Sequence, residues 1–144
     1  MKTLTIIIIL TFFLIGSLNA SSKPKVAAQK KENTVESLMM GLKSDNIGLQ
    51  SSSAYMIGEL QISQATIPLL KILHNEKNEE LRIAAALALY KIGSPIAIYA
   101  VKQAIKFDAS KRVSKLCANF YSEHLKNNFF DEEINMDVSK TALK

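Results

Sequence analysis

The side chains with the widest chemical range in this 144-residue chain are His74, His124 and Cys117. His74 has Glu76 close behind it, so a nitrogen and a carboxylate ligand lie near one another. A zinc site takes three or four ligands at regular spacing, and no third ligand falls in register, so no metal is expected. His124 follows Val113 on a stripe that reads as core one unit earlier. It is expected to cover the end of the packed helices. Cys117 is the single cysteine, so it has no partner for an internal disulfide. It reads as a small core residue, a common place for a free thiol. No glycine-rich phosphate loop and no serine, histidine and aspartate set with a nucleophile signature is present. The expectation is a chain without catalytic residues, metal or cofactor.

A second set of residues could bind rather than react. Tyr99, Lys102, Gln103 and Lys106 recur at i, i+3, i+4 and i+7, which is one face of a helix. Opposite them, Ala97, Ala100, Val101, Ala104 and Ile105 form an apolar stripe. One unit earlier the strip positions hold Ile67, Leu70, Lys71 and His74. Side by side, Ile67, Lys71, His74, Tyr99, Lys102, Gln103 and Lys106 would make a basic strip, partly aromatic and partly apolar. It suits an acidic or amphipathic peptide, but an ordinary solvated helix face has much the same composition. Lys106, Lys111, Arg112 and Lys115 form a further basic cluster, either a contact with an anionic envelope surface or a solvated loop and helix start.

Both sets depend on the elements that hold them. The stretch "NEELRIAAALALYKIGSP", residues 78–95, has the period of a helix but is apolar nearly all round. Leu81, Ala84, Ala85, Ala88, Leu89 and Ile92 make one stripe, and Ile83, Leu87 and Tyr90 a second. Such a helix must be surrounded by others. Sliding the sequence along itself shows by what. The shift that sets Leu81 on Leu49 also sets Ala84, Ala85, Leu89 and Ile92 on Ser52, Ser53, Ile57 and Leu60. The same shift downstream sets Leu81, Ala84, Ala85 and Leu89 on Val113, Leu116, Cys117 and Tyr121. A fixed period of about 30 residues marks stacked supersecondary units. The predicted helices lie near 46–60, 64–74, 79–92, 95–107 and 110–126. Asn78 is placed to cap the central one, Gly93 to end it, and Ser94–Pro95 to start the next. A lone helix is predicted near 34–42, with Asn33 and Glu36 as a capping box. Terminal units of a stack should be more polar, and "QSSSA" stands in the first where "RIAAA" stands in the middle.

The stretch "LRIAAALALYKIGSPIAIYAVKQAI" resembles a HEAT repeat of the short kind found in bilin-lyase-like proteins. The matching residues are Leu81, Arg82, Ala84 to Ala86, Ala88, Leu89, Ile92 and Gly93. The first unit departs from the pattern, with Gln50 in the Arg place and Gln61 in the Gly place, and the third has Ser114 in the Arg place. The resemblance implies an all-α fold, a short right-handed α-solenoid of about two and a half stacked helix pairs over residues 34–127. It puts the second helices on the concave side, and with them the strip. It implies a protein-binding scaffold, or less commonly a factor that assists chromophore attachment. A structural subunit that stacks end to end in an envelope assembly is a further reading of the same pattern.

The ends of the chain differ from this middle. "MKTLTIIIILTFFLIGSLNA" has a basic start, an apolar run from Leu4 to Ile15 and a small-residue exit at Ala20, the pattern of a signal peptide. The run is short for a membrane span, which needs about 20 apolar residues, so export with cleavage near Ala20 is expected rather than a retained anchor. The destination would be the periplasm or the cell exterior. Residues 21–33 read as a flexible Lys-rich linker. Residues 128–144 form a tail in which Phe129 and Phe130 precede three acids, and Ile134, Met136 and Val138 alternate with polar residues. The phenylalanines would fold back over the open end of the stack, or dock on another protein. The formal charge of +5 is modest and, with export, points away from nucleic acid. The expected partner is a protein or peptide, with membrane-surface contact possible and self-association weak at most.

Overall fold

The computed structural model describes residues 23–142. The signal peptide expected at 1–20 lies outside them. Among the described residues there are six α-helices and no strand: α1 (Lys23–Leu42), α2 (Ile47–Glu59), α3 (Thr66–Asn75), α4 (Glu79–Ile92), α5 (Pro95–Phe107) and α6 (Lys111–Ala142). A 3-10 turn, Ser63–Ala65, leads into α3. The chain divides into two compact units, residues 1–36 and 37–144. The repeats lie in the second.

Helix starts keep the repeat period. Asn46 caps α2, its Oδ1 accepting from the Leu49 amide at 3.0 Å. Asn78 caps α4 in the same way, accepting from Leu81 at 3.2 Å. Ser110 Oγ accepts from Arg112 and Val113 at the head of α6. Each such bond satisfies an amide that the first helical turn leaves open. The ends repeat too. Gly93 closes α4 at φ +68°, and Gln61, at the same place one unit earlier, takes φ +49°. That left-handed backbone suits glycine and strains a residue with a Cβ. Pro95 opens α5 as expected, but the Ser94 side chain makes no capping bond.

The central helix is surrounded. Among the described helices, α4 packs against α2, α3, α5 and α6. Leu81, Ala85, Ala86, Ala88 and Leu89 are buried, and Ile83, Leu87, Tyr90 and Ile92 half-buried. Small residues set the spacing: a Cβ built on Gly58 of α2 would lie 2.8 Å from the Ala88 Cα. On the other side of α4, Tyr90 stacks on Phe120 of α6 with ring centroids 5.7 Å apart. Val113 and Cys117 of α6 are fully buried. Burial, followed by the charge of Asp108, pushes the Cys117 thiol up to about 11, so it is an unreactive core group.

Three expectations change. The lead expected to be flexible is helical from Lys23, so Asn33 lies inside α1 and is not its cap. "AAQKKE", residues 27–32, consists of good helix formers, and one Asn does not interrupt them. The last helix does not stop near 126: its backbone stays helical to Ala142, so the alternation at Ile134, Met136 and Val138 marks no strand, and the backbone does not turn back over the stack. The first unit is also not simply more polar. Ser53 is buried, with a Cβ at Gly41 of α1 meeting it directly, while Leu49, Met56 and Leu60 are exposed.

Candidate functional site

Helices α3 and α5 carry the strip. Their packing stripes are buried as the sequence requires: Leu69 and Leu73 on α3, and Ala97, Ala100, Val101 and Ala104 on α5. Ile105, expected with them, is half-buried. Lys71, His74, Lys102 and Lys106 are exposed and Gln103 is half-buried. Ile67 and Tyr99 are 55% and 61% exposed, too open to be core. Lys102 turns toward the last helix, its ammonium 5.4 Å from the centroid of Tyr121, a weak cation–π contact at such a site.

At one end of the strip a cavity of about 300 Å³ opens. His74 and Gln103 line it from α3 and α5. Ile67, Lys71, Tyr99, Lys102 and Lys106 do not line it. Leu73 and Ala104 of the packing stripes and Ala109 add to its walls, and so do Glu76, Arg82, Phe107 and Asp108, which the sequence does not place in the strip. Phe107 stands at the rim, 77% exposed.

Arg82 and Asp108 form the polar wall. Arg82 Nε donates to Asp108 Oδ2 at 2.9 Å and Nη2 to Oδ1 at 3.0 Å. Nη1 donates to the carbonyl oxygens of Glu76 at 2.9 Å and Lys77 at 3.0 Å. One guanidinium thus ties the head of α4 to the end of α5 and to the loop after α3. Burial pushes the Asp108 carboxyl up, but Arg82 and the Ser110 amide more than offset it and hold it below the usual range. The hydrogen bonds to Asp108 raise Arg82 in turn, against its burial. This bidentate pair is a structural clamp, with its charges already matched. The sequence separation of Arg82 and Asp108 is shorter than the repeat period, so the repeat pattern gives no cue to the pair.

The remaining candidates are scattered. His124 is half-buried on α6, with Nε2 3.0 Å from Asn128 Nδ2. Of the basic cluster, Arg112 pairs with Glu79 at 3.2 Å and with Glu80, so its charge is partly engaged. Among the described residues no group of three or more His, Cys, Asp or Glu converges on a point. The backbone of Phe129 and Phe130 lies within α6.

A family model described as HEAT repeats matches residues 35–118, which spans the end of α1, all of α2 to α5 and the start of α6. A search of curated proteins finds no match.

Proposed function

The chain belongs to the HEAT-repeat family, and from that premise we propose that it is a non-catalytic scaffold that binds an acidic or amphipathic peptide along α3 and α5. HEAT repeats commonly mediate protein interactions. The observation that supports this face is the exposure of Ile67, Tyr99 and Phe107 among Lys71, His74, Lys102 and Lys106. Large apolar side chains give a peptide its anchors, while lysines select acidic neighbours and steer the encounter. The cavity beside Phe107 would take one apolar anchor, since its polar wall is already paired. The leader pattern in residues 1–20 supports an exported scaffold. Among the described residues no helix is long and apolar enough to cross a membrane.

Panning a random peptide library on the protein tests this reading. It should enrich acidic sequences with an aromatic or aliphatic anchor, whose affinity falls with salt. Changing Tyr99→Ala, Lys102→Glu and Lys106→Glu together should abolish that binding with helix content unchanged, because none of the three is core. Enriched peptides that bind the triple variant equally well would rule the face out.

A further inference from the structure

The cavity at the end of the strip holds more hydrogen-bonding capacity than an aliphatic anchor can use. Its Arg82–Asp108 wall is engaged: the Asp108 oxygens accept from Arg82 and from the Ser110 amide. Two other lining groups are open. Glu76 Oε1 accepts from the Asn78 amide at 2.9 Å, while its Oε2 has no partner among the described residues. The half-buried Gln103 side chain makes no hydrogen bond among the described residues. Both groups line the same cavity as the apolar Leu73, Ala104 and Phe107. A carboxylate oxygen accepts, and a side-chain amide both donates and accepts. An occupant that expels water from them must replace the bonds that water makes, or lose affinity.

We propose that this cavity selects tyrosine as the anchor of the bound peptide, an inference that rests on the peptide-binding reading of α3 and α5. A phenol meets each requirement. Its ring packs on the exposed Phe107 ring and covers Leu73 and Ala104. Its hydroxyl donates to Glu76 Oε2 and accepts from Gln103 Nε2. Phenylalanine and leucine fill the same space but leave both polar groups without partners. Tryptophan donates and cannot accept. A volume of about 300 Å³ lies at the low end for small-ligand sites, which suits a single ring. A basic anchor would also pair with Glu76. However, α3 and α5 carry Lys71, Lys102 and Lys106 and no acid, so charge favours acidic neighbours around a neutral anchor.

Two neutral probes, N-acetyl-tyrosinamide and N-acetyl-phenylalaninamide, separate the anchor from the charged strip. Titrated into the purified protein and followed by amide NMR, the tyrosine probe should shift the Gln103 side-chain amide and the Phe107 backbone amide. Its Kd should be on the order of 1 mM, as for a fragment of this size. The phenylalanine probe should bind at least about fivefold more weakly. Gln103→Leu keeps the size of a half-buried side chain, so the fold should hold, and the two probes should then bind within about twofold of each other. Equal binding of both probes by the wild type, a tyrosine preference that survives Gln103→Leu, or shifts away from the cavity would each overturn the proposal. Peptides from the library tell this failure from that of the parent reading. Acidic peptides that bind the strip equally well with Tyr or Phe as anchor would overturn the tyrosine anchor and keep the peptide-binding face. Probes that discriminate as expected, while no acidic peptide binds, would support the selectivity of the cavity and overturn the peptide-binding face.

Discussion

The two ends of the helix layer differ in how they meet water. At the α6 end the pattern of Ile83, Leu87 and Tyr90 becomes Lys115, Asn119 and Ser122, and the stack closes on polar side chains. At the α2 end Leu49, Met56 and Leu60 remain exposed. A solenoid needs polar outer faces at its ends to stay soluble. The α6 face meets that need at Lys115, Asn119 and Ser122, whereas α2 keeps Leu49 and Met56 exposed. Because the same period generates both ends, the contrast can be tested one substitution at a time.

The largest effect should come from the helix between them. Ala85 is fully buried on α4, so Ala85→Asp puts an unpaired carboxylate among packed helices. That costs several kcal/mol, comparable to the whole stability of a small domain. The variant should show no cooperative melt by circular dichroism. An unchanged midpoint would show that the register relating the two ends is wrong.

Next comes the clamp on the α6 side. Asp108→Ala removes two charge-assisted hydrogen bonds from the half-buried Arg82, which keeps its bonds to the Glu76 and Lys77 carbonyls, and should cost about 1.5 kcal/mol. The sign with pH follows from the depressed Asp108 carboxyl. A carboxylate whose folded pKa is lowered stabilises fully above its unfolded pKa, about 3.9, and that contribution is lost as pH falls through the folded value. Urea titrations should therefore show the gap between wild type and Asp108→Ala widest near neutral pH and shrinking below about pH 4. A gap independent of pH would mean that Asp108 acts through packing alone.

The fold was legible because it is carried by a period. Leu81, Ala85 and Leu89 are core for a reason that repeats at Leu49, Ser53 and Ile57, and helix length, caps and the Gly93 ending all agree with it. The site was legible only in part. Helical spacing alone placed Tyr99, Lys102 and Lys106 opposite the Ala97–Ala104 stripe, and they are exposed. The cavity was not legible, since the Arg82–Asp108 pair breaks the period and Phe107 and Glu76 stand in or beside loops. The polarity of "QSSSA" does not carry over to the surface of α2, because its three serines point different ways. Ser53 points inward, and the exposed flank belongs to Leu49 and Met56.

A smaller effect should appear at the upstream end. Gln61 holds a left-handed backbone, φ +49°, at the place where Gly93 sits one unit later. A non-glycine residue there costs roughly 1–2 kcal/mol, while glycine gives back part of this through its freer unfolded chain. Gln61→Gly should therefore stabilise by about 0.5–1 kcal/mol, seen as a higher urea midpoint with an unchanged slope. Gly93→Gln should lower the midpoint. If Gln61→Gly lowers it too, the side chain of Gln61 does something that the backbone argument misses.

The smallest change in stability should carry the clearest change in assembly. Lys115→Ile and Asn119→Leu, made together, give the α6 end the residues that α4 has at Ile83 and Leu87. Both positions are exposed, and surface changes usually shift stability by within about 0.5 kcal/mol, so the melting temperature should hold. Both ends of the layer would then be apolar. Enlarged exposed apolar patches promote association. Light scattering should therefore show the variant growing with concentration more steeply than the wild type. Adding Met56→Glu, which puts a charge among the exposed apolar residues of α2, should reduce that growth. If the α6 variant associates no more than the wild type, apolar area is not what distinguishes the two ends, and the polar residues of α6 would be incidental to solubility.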